Sequence, residues 1–284
     1  MKGIKSVHIA RIAAAAMVAS QFAQASGHGP VFGWATPTNP KGGFSFDTSF
    51  MGRYGPGSGT MFRATLGYGI TENLKISFSA PAIFQAEPFS QARFAGFTPM
   101  GGDFETLGIW RFHRQDTGVG SRFESAAVGG LLIPGAQNPA GPTKDLHSGA
   151  GGLAGIVTGV ASRSHYAWAG ISYQRYAESD HNRRPGVLFY SAVYGYRPRS
   201  WRTDTGWDWR IFGEMTGEQT GAIQRAGQVV PASNTHQVFV GPTTLGVYKN
   251  YAVSAGVQFP VYRDMSPIYP RERVRFAVNF SYFF

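Results

Sequence analysis

Cysteine is absent from this chain of 284 residues. That excludes a disulfide scaffold, thiolate metal centres and a cysteine nucleophile. Charge is scarce as well: Asp, Glu, Lys and Arg together make 15% of the sequence, well below the roughly one quarter of an average soluble domain. Beyond residue 25 no apolar run approaches the roughly 20 residues that a membrane-spanning helix needs. Uninterrupted helical sequence is also missing, because 38 Gly and 17 Pro are spread through the chain, and this excludes a coiled coil. Apolar and aromatic residues are plentiful, at 43% hydrophobic and 14% Phe, Trp or Tyr. Such a chain can bury surface and is not disordered. The net charge of +10 is scattered rather than clustered, which speaks against nucleic acid as a partner.

Residues 1–25 read as an address. Lys2, Lys5 and Arg11 make a positive start, Ile12 to Ala19 an apolar stretch, and Ala23-Gln24-Ala25 a small-x-small cleavage site. This three-part pattern predicts a secretory signal peptide. Residues 26–42, rich in Pro and Gly, then form a segment that lies in the periplasm or inside the folded body, which spans 43–284. Cleavage after Ala25 would leave Ser26-Gly27-His28 at the N-terminus. Its amine, backbone nitrogens and imidazole can encircle Cu(II) or Ni(II); the plainer reading is a polar terminus. No other metal or cofactor motif is visible.

From Phe44 onward the sequence alternates. Phe44, Phe46 and Phe50 share a face opposed by Ser45, Asp47 and Arg53; Phe62, Leu66 and Tyr68 oppose Arg63 and Thr65. Leu74, Ile76 and Phe78 alternate with Lys75 and Ser77, and Trp110 and Phe112 with Arg111 and His113. Toward the end, Val274, Phe276, Val278, Phe280, Tyr282 and Phe284 oppose Arg273, Arg275 and Asn279. Successive side chains of a strand point to opposite faces, so each segment has one greasy and one polar side. About 12 such segments of roughly ten residues occur, the length of a tilted membrane-crossing strand. The gaps between them are mostly long and short in turn, with 55–59 short where a long one fits better. An up-and-down transmembrane β-barrel shows this rhythm. A soluble β-sandwich also alternates, but strand-end aromatics and a face carrying charges of both signs favour the barrel.

In that barrel the inward side chains are Asp47, Arg53, Arg63, Lys75, Glu105, Arg111, His113, Arg122, Glu124, Arg175, Asp208, Arg210, Glu214, Arg273 and Arg275. Most are basic, so a conducting bore would mildly prefer anions. Alternatively these charges pair across strands and close the bore. The loop 82–103 carries Phe84, Phe89, Phe94, Phe97 and Met100, an apolar set suited to folding inward and constricting the mouth. A lipid-hydrolysing barrel is a third reading, with His113, His165 or His236 serving a Ser. No Gly-x-Ser-x-Gly elbow supports it, so no enzyme activity is expected. Partners expected are a small-molecule solute, outer-membrane lipid and anionic lipopolysaccharide.

Three stretches carry a family resemblance: YGITENLKISFSAP (68–81), GPTTLGVYKNYAVSAGVQFPVY (241–262) and RVRFAVNFSYFF (273–284). The last resembles the terminal strand of Gram-negative outer-membrane proteins, whose final Phe, here Phe284, is read by the barrel assembly machinery. The first, with HGPVFGWATPTNPKGG (28–43), resembles outer-membrane transporters linked to the meta-pathway of phenol degradation. The resemblance implies passive passage of small aromatic or hydrophobic molecules, or a non-conducting structural or partner-docking barrel.

Overall fold

The computed structural model describes residues 29–55, 59–84, 103–134, 148–201, 206–265 and 271–284. The strands are β1 (Phe44–Tyr54), β2 (Gly59–Thr71), β3 (Leu74–Phe84), β4 (Phe104–Gly118), β5 (Ser121–Ile133), β6 (Ser148–Ala161) and β7 (His165–Glu178). They continue as β8 (Val187–Tyr196), β9 (Asp208–Thr220), β10 (Gln224–Arg225), β11 (Gln228–Val229), β12 (Thr235–Tyr248), β13 (Tyr251–Met265) and β14 (Val274–Phe283). All but β10 and β11 close into one barrel of 12 antiparallel strands, as the alternation predicts. β10 and β11 form a small hairpin between β9 and β12.

Closure joins β1 to β14 in continuous register from Ser45↔Phe283 to Tyr54↔Val274. The base of this seam is clasped by the last residue: Phe44 N–H donates to Phe284 O at 2.7 Å, and Phe284 N–H donates back at 3.0 Å. The Phe284 ring stacks on Phe44 and Tyr282. A closed sheet has no edge, so its backbone groups are satisfied without water. Two- and three-residue turns join β2–β3, β4–β5, β6–β7 and β12–β13 at the end where Phe44 and Phe284 also lie. Connections at the opposite end are longer, the β1–β2 loop excepted, and one long connection, 197–207 between β8 and β9, lies at the short-turn end.

The outward face is apolar. Trp110 is 57% exposed, Leu131 66% and Tyr194 57%, and Phe46, Phe78 and Phe280 are exposed beside them. An aqueous surface rarely carries so continuous a greasy band; a barrel in lipid requires one. The packed core therefore lies inside. There residues 29–43 climb the bore, bent at 31–33 and turned at 41–42, with Phe32, Trp34, Thr36 and Thr38 buried alternately. Trp34 packs against Leu107, Ala126, Val128 and Leu153, and Phe32 against Met51, Met61 and Ala277.

Several irregularities interrupt the wall, with register shifts at Gly69/Thr71, Asp116/Gly118, Ser148/Gly151 and Val238/Phe239, and two more bear on the bore. In β4 the register to β5 shifts between Arg111 and His113, where Phe112 is the extra residue of a bulge. In the middle of β12, the β12–β13 register lapses at Gly241 and Pro242 and resumes at Thr243↔Gly256. Proline has no N–H to give to the ladder.

Candidate lumenal site

The rising segment is held by the inner wall through one anchor after another. Near the short-turn end, Gly42 N–H donates to Gly69 O and Gly69 N–H to Gly43 O, at 2.8 and 2.9 Å. A Cβ on Gly69 would overlap the Pro40 carbonyl, so glycine here permits the close approach of two backbones. Above this, Thr38 donates to Glu72 O at 2.8 Å, and Thr36 to Glu124 Oε2 at 2.9 Å. Thr36 also accepts from Trp168 Nε1 at 3.2 Å. Trp34 donates through its backbone to Ser191 and through its indole to Ser172.

The uppermost anchor is Glu214. Its carboxylate accepts three consecutive backbone N–H groups, from Val31 at 2.6 Å, Phe32 at 2.8 Å and Gly33 at 2.9 Å. Thr243 Oγ1 adds a fourth at 2.5 Å. Successive amides converging on one acid make an anion nest, here filled by the barrel's own side chain. Bonds to an ionised acceptor contribute about 1.5–3 kcal/mol each, against 0.5–1.5 for neutral ones. Glu214→Gln is therefore expected to loosen the tip of the segment while leaving the barrel assembled. Faster hydrogen exchange at amides 31–33 would register it; unchanged exchange would contradict the anchor.

Charged residues fill the rest of the bore in pairs. Arg111 reaches Glu124 Oε1 at 3.0 Å, Asn73 and Glu72 O, and Arg122 reaches Glu124 Oε1 at 2.9 Å. Arg63 faces Glu105 at 3.3 Å. Arg197 and Arg210 flank Asp208 at 2.6 and 3.0 Å. Toward the long-loop end, Arg275 holds Glu218 at 2.5 and 3.0 Å and Glu272 at 2.8 Å, and Arg53 lies 3.3 Å from Glu272. Asp103 is shared by Tyr176 and Arg184.

Between the segment and the wall of β1–β4 remains a cavity of about 260 Å³, room for about eight waters at ~30 Å³ each. Its wall side is polar, with Asp47, Ser49, Thr65, Lys75 and Ser77, and Arg63. Its other side is apolar, formed by Val31, Trp34 and Pro37 of the segment with Leu107 and Ile109.

The structure turns Asp47, Arg53, Arg63, Lys75, Glu105, Arg111, Arg122, Glu124, Asp208, Arg210, Glu214 and Arg275 inward. Three expected positions differ. His113 points outward beside Phe123, because the bulge at Phe112 reverses the alternation. Arg175 is outward and exposed, since β7 sits the other way round: Tyr166, Trp168 and Tyr176 face inward and Ile171 and Tyr173 outward. A filled bore offers apolar contacts to the inner face, and there Tyr166 and Trp168 pack with Phe212. Arg273 precedes β14 at the long-loop rim and is exposed, its N–H donating to Tyr54 O. Phe84 ends β3; Phe89, Phe94, Phe97, Met100 and Ser26-Gly27-His28 lie outside the described residues. The histidines considered for hydrolysis sit on the outer face, His165 bonded to Tyr194 at 2.8 Å and His236 to Tyr190 at 2.9 Å.

Glu218, Glu272 and the anchors Ser172, Ser191, Trp168 and Thr243 escaped the alternation, whereas the anchors Glu124 and Glu214 were among the residues it turned inward. Glu218 continues the inward set of Arg210 and Glu214 on β9 and could have been found by extending that strand one more pair of residues.

No family model matches the chain, and no curated protein sequence does. Its fold is similar to that of an outer membrane channel from Pseudomonas putida F1, with a TM-score of 0.65 and 12% identity, over 90% of this chain and 100% of that one. It is also similar to the NanC porin, with a TM-score of 0.52 and 7% identity, over 84% of this chain and 98% of that one.

Proposed function

We propose that this chain is an outer-membrane barrel through which small molecules pass along the restricted space beside its lumenal segment. The observation that carries this is the cavity between the segment and β1–β4 inside a closed cylinder with an apolar outside. Short turns and the Phe284 end belong on the periplasmic side, and long loops face outward from the cell. The apolar and hydroxyl-bearing sides of the cavity suit a small aromatic or hydrophobic molecule with one polar edge. The sequence resemblance to transporters linked to phenol degradation supports the same class. Phe284, which clasps the seam, would be the residue that the assembly machinery reads, as the resemblance of the last strand implies. Exposed Arg175, on the outward face near the long loops, suits contact with lipopolysaccharide.

Recording the mature chain in planar bilayers tests the reading. Small stepwise conductance is expected. Absence of any conductance, with the segment present and with it removed, overturns it in favour of the second reading, a non-conducting barrel. That second reading is favoured by the number of ion pairs that line the bore.

Pairing also changes the selectivity expected. Of the cations on the cavity, Arg63 is matched by Glu105 and Lys75 lies across from Asp47. Only weak anion preference is expected, and Lys75→Glu should turn it into cation preference. The sign of the reversal potential in a salt gradient decides; the same sign in both proteins would show that ions do not pass Lys75.

A further inference from the structure

The outer face carries a second concavity, distinct from the bore. Much of the barrel's outside is ridged by large side chains, but across β9, β12 and β13 the outward positions are small. Gly213 of β9 pairs with Pro242 of β12, and the row beneath runs through Thr244 and Ala255. A Cβ added to Gly213 would meet nothing within 4 Å. The depression, about 720 Å³, is walled by Tyr194 on one side and Phe276 on the other. At Ile211 and Thr244 it runs on into a second pocket of about 460 Å³ faced by Trp201, Trp207 and Trp209. The two form one apolar groove that descends to the short-turn end.

The lower end of this groove is cationic. Trp207 stacks on Trp209 at 5.9 Å and meets Tyr248 at 5.7 Å, and Lys249 Nζ lies 5.1 Å above the Tyr248 ring. Lys249 is exposed there, and Arg199, two residues before Trp201 of the pocket, is exposed as well. Length fits too. The positions from Trp207 to Gly213 rise about 3.4 Å each along a strand tilted about 40°. That is roughly 15 Å of depth, half of a ~30 Å hydrocarbon core.

We infer that this groove holds one acyl chain of an anionic phospholipid of the inner leaflet, with its phosphate at Lys249 and Arg199. The inference rests on the proposed membrane placement, with short turns toward the periplasm. The aromatic wall supplies the interfacial belt, the cations select headgroup charge, and the missing side chain at Gly213 and the compact ring of Pro242 make room for the chain end. An outer-leaflet glycolipid would approach from the opposite rim and could not place its phosphates at Lys249.

The full mature chain, inserted in nanodiscs of phosphatidylethanolamine and phosphatidylglycerol and released into mild detergent, would be weighed by native mass spectrometry. One retained phosphatidylglycerol is expected. Gly213→Phe, which fills open space on the outer face, should abolish that retention. Arg199→Gln and Lys249→Asn should each cost about fivefold in preference over phosphatidylethanolamine, as expected for one cation at an anionic surface. Asn suits the φ of +50° at Lys249, so this variant tests charge without backbone strain. Equal retention by Gly213→Phe, or no preference for phosphatidylglycerol in the unaltered chain, overturns the site while the barrel remains inserted. A chain that stays dissolved without detergent overturns the membrane placement and the site together.

Discussion

Removing residues 29–41 is expected to raise single-channel conductance at least about fivefold. An eight-stranded barrel is filled by its own side chains, and interior width grows with strand number, so a bore of 12 strands has space left once the segment is gone. The segment occupies that space with Phe32 and Trp34, both buried. Its loss should not unfold the barrel. The wall's strands pair with one another all round the cylinder without it, and that pairing is what a strand in lipid cannot give up. The cost is the exposure to water of the inner apolar residues that Trp34 covers, Leu107, Val128 and Leu153 among them. Deletion should therefore lower stability by a few kcal/mol, at about 1.5–3 for each large apolar side chain uncovered. Glu214→Gln should give an intermediate result, with brief openings to the level of the deleted protein. Equal conductance with and without residues 29–41 would mean that the segment does not fill the bore in the membrane.

Strand alternation made the barrel legible because a wall between lipid and a polar interior forces period two on the sequence. On β2, Phe62 and Leu66 face outward and Arg63 and Thr65 inward, as their order dictates. β14 behaves the same way from Phe276 to Phe284. The rule failed where its premise failed. On β7 the inner face is aromatic because the bore is packed rather than wet, so Tyr166 and Trp168 belong inside and Arg175 outside. On β4 one inserted residue shifts everything after Arg111, and a bulge leaves no mark in hydropathy. The lumenal segment is the largest part that sequence left open. Phe32, Trp34, Thr36 and Thr38 alternate as a strand does, but the Pro and Gly around them read equally well as a linker. Its anchors come from β2, β5, β7, β8, β9 and β12, which only the closed barrel brings together.

Arg275→Ala should be the most destabilising single substitution, by about 3–5 kcal/mol, the cost of stranding a buried charge. Arg275 is 1% exposed and lies over the Phe239 ring at 3.6 Å. It joins β14 to Glu218 on β9 and to Glu272 just before β14. Truncation leaves Glu218, 3% exposed, without the guanidinium that offsets its desolvation. Glu272 is less affected, because Arg53 remains 3.3 Å away. The double change Arg275→Met with Glu218→Met removes both charges and should recover most of the loss, since a buried pair is about as stable as an apolar pair of similar volume. Chemical unfolding of the barrel from lipid vesicles, followed by tryptophan fluorescence, measures both. A double variant as unstable as Arg275→Ala would show that the side chains matter for packing and not for charge. The link also stands inside the bore, reaching from β14 past β13 and β12 to β9. The double variant should therefore conduct more than the unaltered chain even though it is nearly as stable, which separates what this ion pair does for the fold from what it does to the path.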